Sequence, residues 1–520
     1  MVRIERMTTT LTTPLYYVND RPHIGSVYTT LAVDSLARYR RQRGEEVIFI
    51  TGCDEHGQKI LRTAQQAGIA PQLHCDNISA IFNQNWQEWG ISNNRFIRTT
   101  DPRHRTIVNQ FFERVASNGD IIEGRQQGWY CVACEEYKDE YKDQNLSINP
   151  APICSVHQRS LEWRDETNLF FRLSRYQQQI DHLISKDGFI RPSSRRREVE
   201  NFASGGLKDF SISRLNLPWG IPVPGHQEHT FYVWFDALLG YITALLEPGD
   251  APDLDLAISR GWPANLHVIG KDILRFHAIY WPAMCMSAGI EPPGAVFGHG
   301  FLTREGQKMG KSLGNSLEPG MLLNSFGVDA VRWYLLRDIQ FGDDGDIQQQ
   351  RLVDLVNNDL ANTIGNLVNR TISMARKWFN GVPIPKNPPG LDHRLAVLCE
   401  QILQSLDTNY DQLDFRSASE NILMLATAAN GYLSETAPWT AIKDENNRDA
   451  VASDIYAVLE ASRWVGVLLF PLLPNLSVNL LKQLDQPAVD WKSQLIWGKL
   501  EPGKYLDEPI PIMQRLELEA

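Results

Sequence analysis

The chain is short of cysteine, of long apolar runs and of positive charge, and each shortage narrows what it can be. Its 520 residues include 7 cysteines, dispersed as Cys53, Cys75, Cys131, Cys134, Cys154, Cys285 and Cys399. An odd, scattered set argues against a disulfide framework and for a reducing compartment. No apolar segment follows Met1–Arg6, and the most apolar late run, Trp464 to Leu473, is short and contains Pro471. Neither a secretion signal nor a membrane span is therefore expected, and the cytoplasm is the expected compartment. The formal charge is −11, whereas phosphate binding normally leaves a basic footprint, so a nucleic-acid partner would need a local patch. Arg38, Arg40, Arg41 and Arg43 form one dense basic cluster, and Arg191 with Arg195, Arg196 and Arg197 another. The alternative for either is a solvated charged face.

What is present suffices for several cores. Apolar residues make up 43% and charged residues 22%, a globular balance, and the length suits about three domains. Residues 10 to 115 alternate apolar runs with helical patterns: a strand over 11–18, a helix over 25–43, and a strand at 47–50 closed by Gly52. Continuous apolar runs between helices predict buried parallel strands, and ligands sit outside the carboxyl ends of such strands. His23 and the run Asp54-Glu55-His56-Gly57 would share that rim. From about 116 to 228 short strands and Pro-rich turns predict an insertion. The βα rhythm then resumes with a strand at 266–269, a helix over 273–286 and a strand at 295–297. Helical periodicity dominates afterwards, over 351–379, 393–409, 415–433 and 450–469.

Local motifs add chemistry. Cys131-x2-Cys134 and Cys154-x2-His157 are two knuckle pairs whose spacing suits one closed, tetrahedral, structural Zn²⁺ site; the alternative is three free cysteines and an unrelated histidine. Gly306 to Ser312 resembles a phosphate-binding P-loop, but only Gln307, Lys308 and Met309 separate its glycines, one fewer than that cradle requires. His23-Ile24-Gly25-Ser26 opens the first predicted helix, where N–H groups and the dipole favour phosphate; read alone, it is a cap. Lys308-Met309-Gly310-Lys311-Ser312, read alone, is a solvated turn.

Taken together, these two segments resemble the HIGH and KMSKS signatures of class I aminoacyl-tRNA synthetases. Further segments extend the likeness over nearly the whole chain: Thr13 to Gly25, Thr51 to Gly57, Phe231-Tyr-Val-Trp-Phe-Asp-Ala237, and Ile269-Gly-Lys-Asp-Ile-Leu-Arg-Phe-His277. On these the sequence is similar to the methionyl-tRNA synthetase family. The resemblance implies a Rossmann-like α/β catalytic domain in two halves (1–115 and 229–349), split by a zinc-binding insertion (116–228) and followed by an all-α anticodon-binding domain (350–520). It implies adenylation of L-methionine by ATP with Mg²⁺, then transfer to tRNA(Met).

Residue roles follow from the same resemblance. Asp54 would hold the substrate ammonium, with the thioether among Leu15, Tyr17, Trp234, Ala237, Leu238, Tyr241, Ile273 and His277. Sulfur packs well on aromatic rings, at about 0.3–1.5 kcal/mol per contact, although periodicity alone would assign these residues to core. A missing methylene is worth only about 1–3 kcal/mol, so homocysteine is the expected rival. ATP would meet His23, Gly25, Ser26, Lys271, Asp272 and Lys311, with His23, Lys308 and Lys311 catalytic. Ser26 stands where the signature has a second histidine, and Gly310 where it has serine. Asn366 and Arg370, four apart on a helix, with Pro438 and Trp439, would read the anticodon; the alternative is a buried Trp beside a capping Pro. The family often carries a C-terminal dimerising extension, not seen before Ala520, so a monomer is expected. Rival expectations are a synthetase for another apolar amino acid, a non-catalytic tRNA-binding paralogue and, remotely, a zinc-dependent NTPase.

Overall fold

A computed structural model describes residues 8–132, 135–138, 141, 151–155, 158–304, 306–309, 317–487 and 494–518. The chain divides into two compact units, residues 8–22 with 48–299 and residues 23–47 with 300–520.

The first unit is built on a six-stranded sheet in the order Arg95–Arg98, Glu46–Asp54, Thr8–Tyr17, Leu266–Gly270, Val296–His299, Ile190–Arg191. Leu11 lies opposite Leu266, His267 opposite Val296, Val296 opposite Ile190 and Ile50 opposite Arg95, each in a parallel pair. The strand Glu46–Asp54 is buried from its second residue on, as expected when both faces of a sheet are covered. The expected strands are all present, shifted at their ends by a few residues. The expected helix over 273–286 is present but changes pitch along its length. A tight turn at Lys271–Ile273 and a wide π-type turn at Phe276–Tyr280 precede a short helix, Trp281–Ser287. Pro282 brings no N–H to that ladder, so the local bonding pattern changes there.

The insertion is antiparallel. Ile121–Cys131 pairs with Glu162–Phe171 from Ile121 opposite Phe171 to Tyr130 opposite Glu162, with Glu136–Tyr137 and Phe210–Ser211 on the two edges. A separate three-stranded sheet joins Pro222–Val223, His226–Phe231 and Ser213–Leu215.

The second unit is helical around Arg448–Leu469, which is buried along nearly its whole length, its Glu460 and Arg463 paired at 2.8 Å within the core. The expected helices appear as Asn366–Phe379, Arg394–Asp411, Phe415–Thr436 and Arg448–Leu469. A wide-turned stretch, Val356–Gly365, lies ahead of the first. The early helix Ile24–Gln42 belongs to this unit. Its Asp34 meets Arg332 at 2.9 Å with both side chains fully buried, and Arg332 also donates to the carbonyls of Leu472 (2.7 Å) and Pro471 (3.2 Å). These extra acceptors matter because a buried ion pair repays its desolvation only when its remaining groups are bonded. The basic cluster on this helix is occupied internally: Arg38 pairs with Asp34, Arg40 with Glu45 and Asp411, Arg43 with Asp407, and Arg41 donates to the Val47 carbonyl. Arg40 and Arg43 thus tie this helix to Arg394–Asp411, while Arg38 and Arg41 are engaged locally.

Candidate active site

The carboxyl ends of the parallel strands carry Tyr17, Asp54 and, just past Gly270, Lys271 and Asp272. Asp54 is 6% exposed, and its Oδ1 is buried with no hydrogen-bond partner. Burial first, then the charges of Asp236 and Glu135, pushes its carboxyl well above the usual range. A carboxylate in this position lacks a cation, and a bound ammonium would restore its charged form. Tyr17 beside it donates to Glu135 Oε1 (2.8 Å) and lies 3.0 Å from the His56 carbonyl; burial, then Glu135, raises the Tyr17 hydroxyl well above its ordinary value. Gly57 closes the loop at φ +106°, where an added Cβ would lie 2.6 Å from the Tyr17 hydroxyl and 2.8 Å from the Glu135 carboxylate. Only glycine fits both that backbone and that space.

The apolar wall comes from the segment after Tyr232. Trp234 stacks on Phe276 at 4.0 Å and meets the His277 ring edge-on at 6.4 Å. His277 Nδ1 faces the Ile273 carbonyl at 3.1 Å and its Nε2 faces the Tyr241 hydroxyl at 2.9 Å. A carbonyl only accepts, so these partners assign the proton to Nδ1 and make Tyr241 the donor to Nε2. Burial pushes the His277 pKa down to about 4, so the ring is neutral near pH 7. The backbone of Leu15 hydrogen-bonds the Tyr241 hydroxyl, and a Cβ on Gly240 would lie 2.4 Å from Leu15 Cδ1. Ala237 and Leu238 are buried in the core behind, and Ile273 packs against that core. The structure thus brings together Leu15, Tyr17, Asp54, Trp234, Tyr241, Ile273 and His277 in one unit.

His23, Gly25 and Ser26 lie in the other unit, at the start of Ile24–Gln42. His23 Nδ1 accepts from the N–H groups of Gly25 (3.1 Å) and Ser26 (3.3 Å), while Ser26 Oγ donates to the His23 carbonyl (2.7 Å) and accepts from its N–H (3.0 Å). This is a capping box, so the serine that departs from the signature closes the helix start. Acceptance at Nδ1 assigns the ring proton to Nε2. Lys308 ends a two-residue strand, Gln307–Lys308, paired with Leu302–Arg304, and its side chain, like Gly310, Lys311 and Ser312, lies outside the described residues.

In the same helical unit Asn366 begins Asn366–Phe379, and the Arg370 guanidinium lies 5.4 Å over the Trp439 ring. Pro438 is buried at the first position of a short helix, while Trp439 is 39% exposed. The capping reading therefore holds for the proline and fails for the tryptophan, whose face is accessible.

For the metal, Cys131 and Cys154 are buried in one small cluster with Trp129 and Leu161. Cys154 accepts from Gln158 N–H (2.9 Å) and donates its own N–H to the Arg159 carbonyl (2.8 Å), a tight turn. Glu135 and Gln158, each one residue past a second expected ligand, both adopt left-handed backbone, at φ 58° and 51°. Two matching turns, each presenting a buried thiol, fit the soft-ligand set that the spacing suggests. Among the described residues no three such side chains converge on an ion-sized site; Cys134 and His157 lie outside them.

Sequence reading missed Glu135, and missed that His56, His104 and Asp236 form one buried group. His56 Nδ1 lies 2.6 Å from Asp236 Oδ2, and His104 Nε2 lies 2.8 Å from Asp236 Oδ1. Burial alone would raise the Asp236 pKa, but the two imidazoles outweigh it and hold it at about 2. Asp236 and His56 occur in quoted motifs, yet no spacing rule pairs residues 180 positions apart.

The sheet is parallel and carries at its carboxyl edge a buried carboxylate with one unpartnered oxygen, and the chain falls in class I of the aminoacyl-tRNA synthetases. The family model for "tRNA synthetases class I (M)" matches residues 9–148 and 138–372, and that for "Anticodon binding domain of methionyl tRNA ligase" matches residues 382–519. Methionine-tRNA ligase of Thermosynechococcus vestitus is 52% identical, with 98% of each chain covered, and that of Synechocystis sp. 48% identical, with 99% and 98% covered. The structure of Mycobacterium tuberculosis methionyl-tRNA synthetase in complex with methionyl-adenylate superposes with a TM-score of 0.92 at 36% identity, over 98% of this chain and 100% of that one. The chain belongs to the methionine-tRNA ligase family.

Proposed function

We infer that this chain activates L-methionine with ATP, forming methionyl-adenylate and pyrophosphate, and then transfers methionine to the 3′ end of tRNA(Met). The observation that carries the reading is Asp54: a buried carboxylate with one unpartnered oxygen, beside a wall of Trp234, Tyr241 and neutral His277. A primary ammonium supplies the missing partner, and a charge-assisted bond in a water-poor site is strong. A flexible, polarizable thioether suits the aromatic wall. The rival readings, another apolar amino acid or a non-catalytic paralogue, gain no support from relatives that share the family's name over their full length.

The chemistry is in-line attack of the methionine carboxylate on the α-phosphorus, with departure of pyrophosphate. Positioning and charge stabilisation carry such a step. His23 donates from Nε2 to a phosphate oxygen; Gly25 and Ser26 form the helix start that favours anion; Lys308 and Lys311 neutralise charge on the leaving group; Lys271 and Asp272 meet the nucleotide. Mg²⁺ with ATP supplies further charge neutralisation. Trp439, Arg370 and Asn366 present a stacking face and base-edge contacts to the anticodon, with Pro438 starting the short helix that carries Trp439. One structural Zn²⁺ on Cys131, Cys134, Cys154 and His157 would hold the insertion folded. The domain limits 1–115, 116–228, 229–349 and 350–520 are part of the same proposal. So is a cytoplasmic location, which buried Cys53, Cys75, Cys285 and Cys399, none in a disulfide, suit.

Amino-acid-dependent ATP–pyrophosphate exchange across the standard amino acids tests the reading. Exchange with methionine alone is expected; exchange with no amino acid, in folded metal-replete protein, overturns it.

A further inference from the structure

Two walls meet at the proposed amino-acid pocket, and the contacts that hold them together use side chains outside it. One wall is the loop after Glu46–Asp54: the His56 N–H bonds the Asp54 carboxylate, and the His56 carbonyl lies 3.0 Å from the Tyr17 hydroxyl. The other is the short helix Val233–Ala237, which carries Trp234 and Ala237. The His56 ring turns to this second wall, 7% exposed, and donates from Nδ1 to Asp236 Oδ2 at 2.6 Å. The other oxygen of Asp236 accepts from His104 Nε2 at 2.8 Å, and His104 Nδ1 lies 2.8 Å from Thr243 Oγ1. Asp236, His104 and Thr243 are at most 0% exposed. The bridge is therefore dry and doubly bonded, the condition under which a charged hydrogen bond fixes geometry best.

We propose that the His56–Asp236–His104 bridge positions Asp54 for the α-ammonium of the substrate, with Tyr17 held beside it, so that His56 and Asp236 are positioning residues for amino-acid binding although their side chains do not contact the ligand. This rests on the assignment of Asp54 to the ammonium. The main chain of His56 is the shared support of Asp54 and Tyr17, and its ring is its tie to the helix of Trp234. Cutting that tie frees the loop whose main chain bonds the Asp54 carboxylate and the Tyr17 hydroxyl, and displacement of the ammonium contact by about 1 Å is worth up to roughly 100-fold.

The test compares binding of L-methionine with binding of its desamino analogue, 4-(methylthio)butanoate, followed by tryptophan fluorescence. His56→Ala is expected to weaken methionine roughly 10- to 100-fold and the analogue by less than about threefold, leaving the ATP KM unchanged. His56→Asn, whose amide N–H occupies the Nδ1 position, is expected to restore most of the loss. Equal penalties for both ligands, no penalty, or no rescue by asparagine would each overturn the proposal. Should His56→Ala not fold, Asp236→Asn, nearly unchanged in volume, is read the same way. Asp54→Asn is the reference: if its penalty too falls equally on both ligands, the ammonium assignment itself fails. If its penalty falls selectively on methionine and that of the bridge variants does not, only the bridge fails.

Discussion

The interior pocket beside Asp54 and the surface patch at Trp439 are organised on opposite principles. Around Asp54 the polar groups are buried and committed: Tyr17 to Glu135, Tyr241 to His277, His56 to Asp236, with one carboxylate oxygen left over. Around Trp439 the ring is 39% exposed, and its partner is a guanidinium over one face at 5.4 Å. A small ligand must be distinguished by few atoms, so its site gains from groups that cannot rearrange; an unstacked base offers a large face, so an accessible ring suffices. The difference teaches where a substitution should be felt, in amino-acid activation or in tRNA binding.

The sharpest break is Asp54→Asn. Losing a charged hydrogen bond costs about 2–3 kcal/mol, so the methionine KM in pyrophosphate exchange should rise roughly 100-fold. An unchanged KM would show that the bare oxygen is structural. Trp439→Ala should do the converse: base stacking is worth about 1–3 kcal/mol, so the tRNA KM rises by roughly tenfold or more while exchange without tRNA stays at the parent rate. Equal loss in both assays would erase the contrast.

Acidification gives a subtler distinction. The folded His277 has its pKa pushed down to about 4 by burial, below the ordinary value near 6.5. Between these values the unfolded chain binds a proton that the folded chain does not, so stability falls as the pH is lowered through that window. Going from about pH 7 to about pH 5 should cost about 1–2 kcal/mol from this ring. Urea melts of His277→Gln should show that part of the slope removed, with the rest, including that from buried His267, whose pKa is lowered in the same direction, retained. Trp439→Ala should leave the slope unaltered. The smallest effect belongs to Ser26→Ala, which removes half of a capping box and should lower stability by about 1 kcal/mol in thermal melts. A much larger loss of exchange rate than of stability would reveal a role for that hydroxyl on phosphate.

Much of the architecture was legible because its signals are local. Buried parallel strands declare themselves as apolar runs such as Val47 to Ile50, and the long helices by periodicity. The helix through 273–286 was legible but its change of pitch was not, since periodicity does not register the wide turn ahead of Pro282. The arginines at 38, 40, 41 and 43 were readable as charge, but Asp411 and Asp407, which pair with Arg40 and Arg43, lie some 370 positions away. At the site, motif resemblance pointed to Asp54, Trp234 and His277; it did not point to Glu135, which reaches Tyr17 from a turn in the insertion.

By itself, then, the sequence determined the chemical inventory: the two signature segments, the carboxylate at the end of the second strand, the aromatic residues, and a Cys–Cys and a Cys–His pair at knuckle spacing. Those are properties of residue type and short spacing, which covalent geometry alone preserves. Only the tertiary structure decided which carboxylate is left bare and which is saturated. Asp54 and Asp236 are both buried acids, yet one keeps an unpartnered oxygen and is driven toward its neutral form, while the other sits between two imidazoles and stays charged. Burial and partner distance set that difference, and both arise only when strands and helices far apart in the chain pack together.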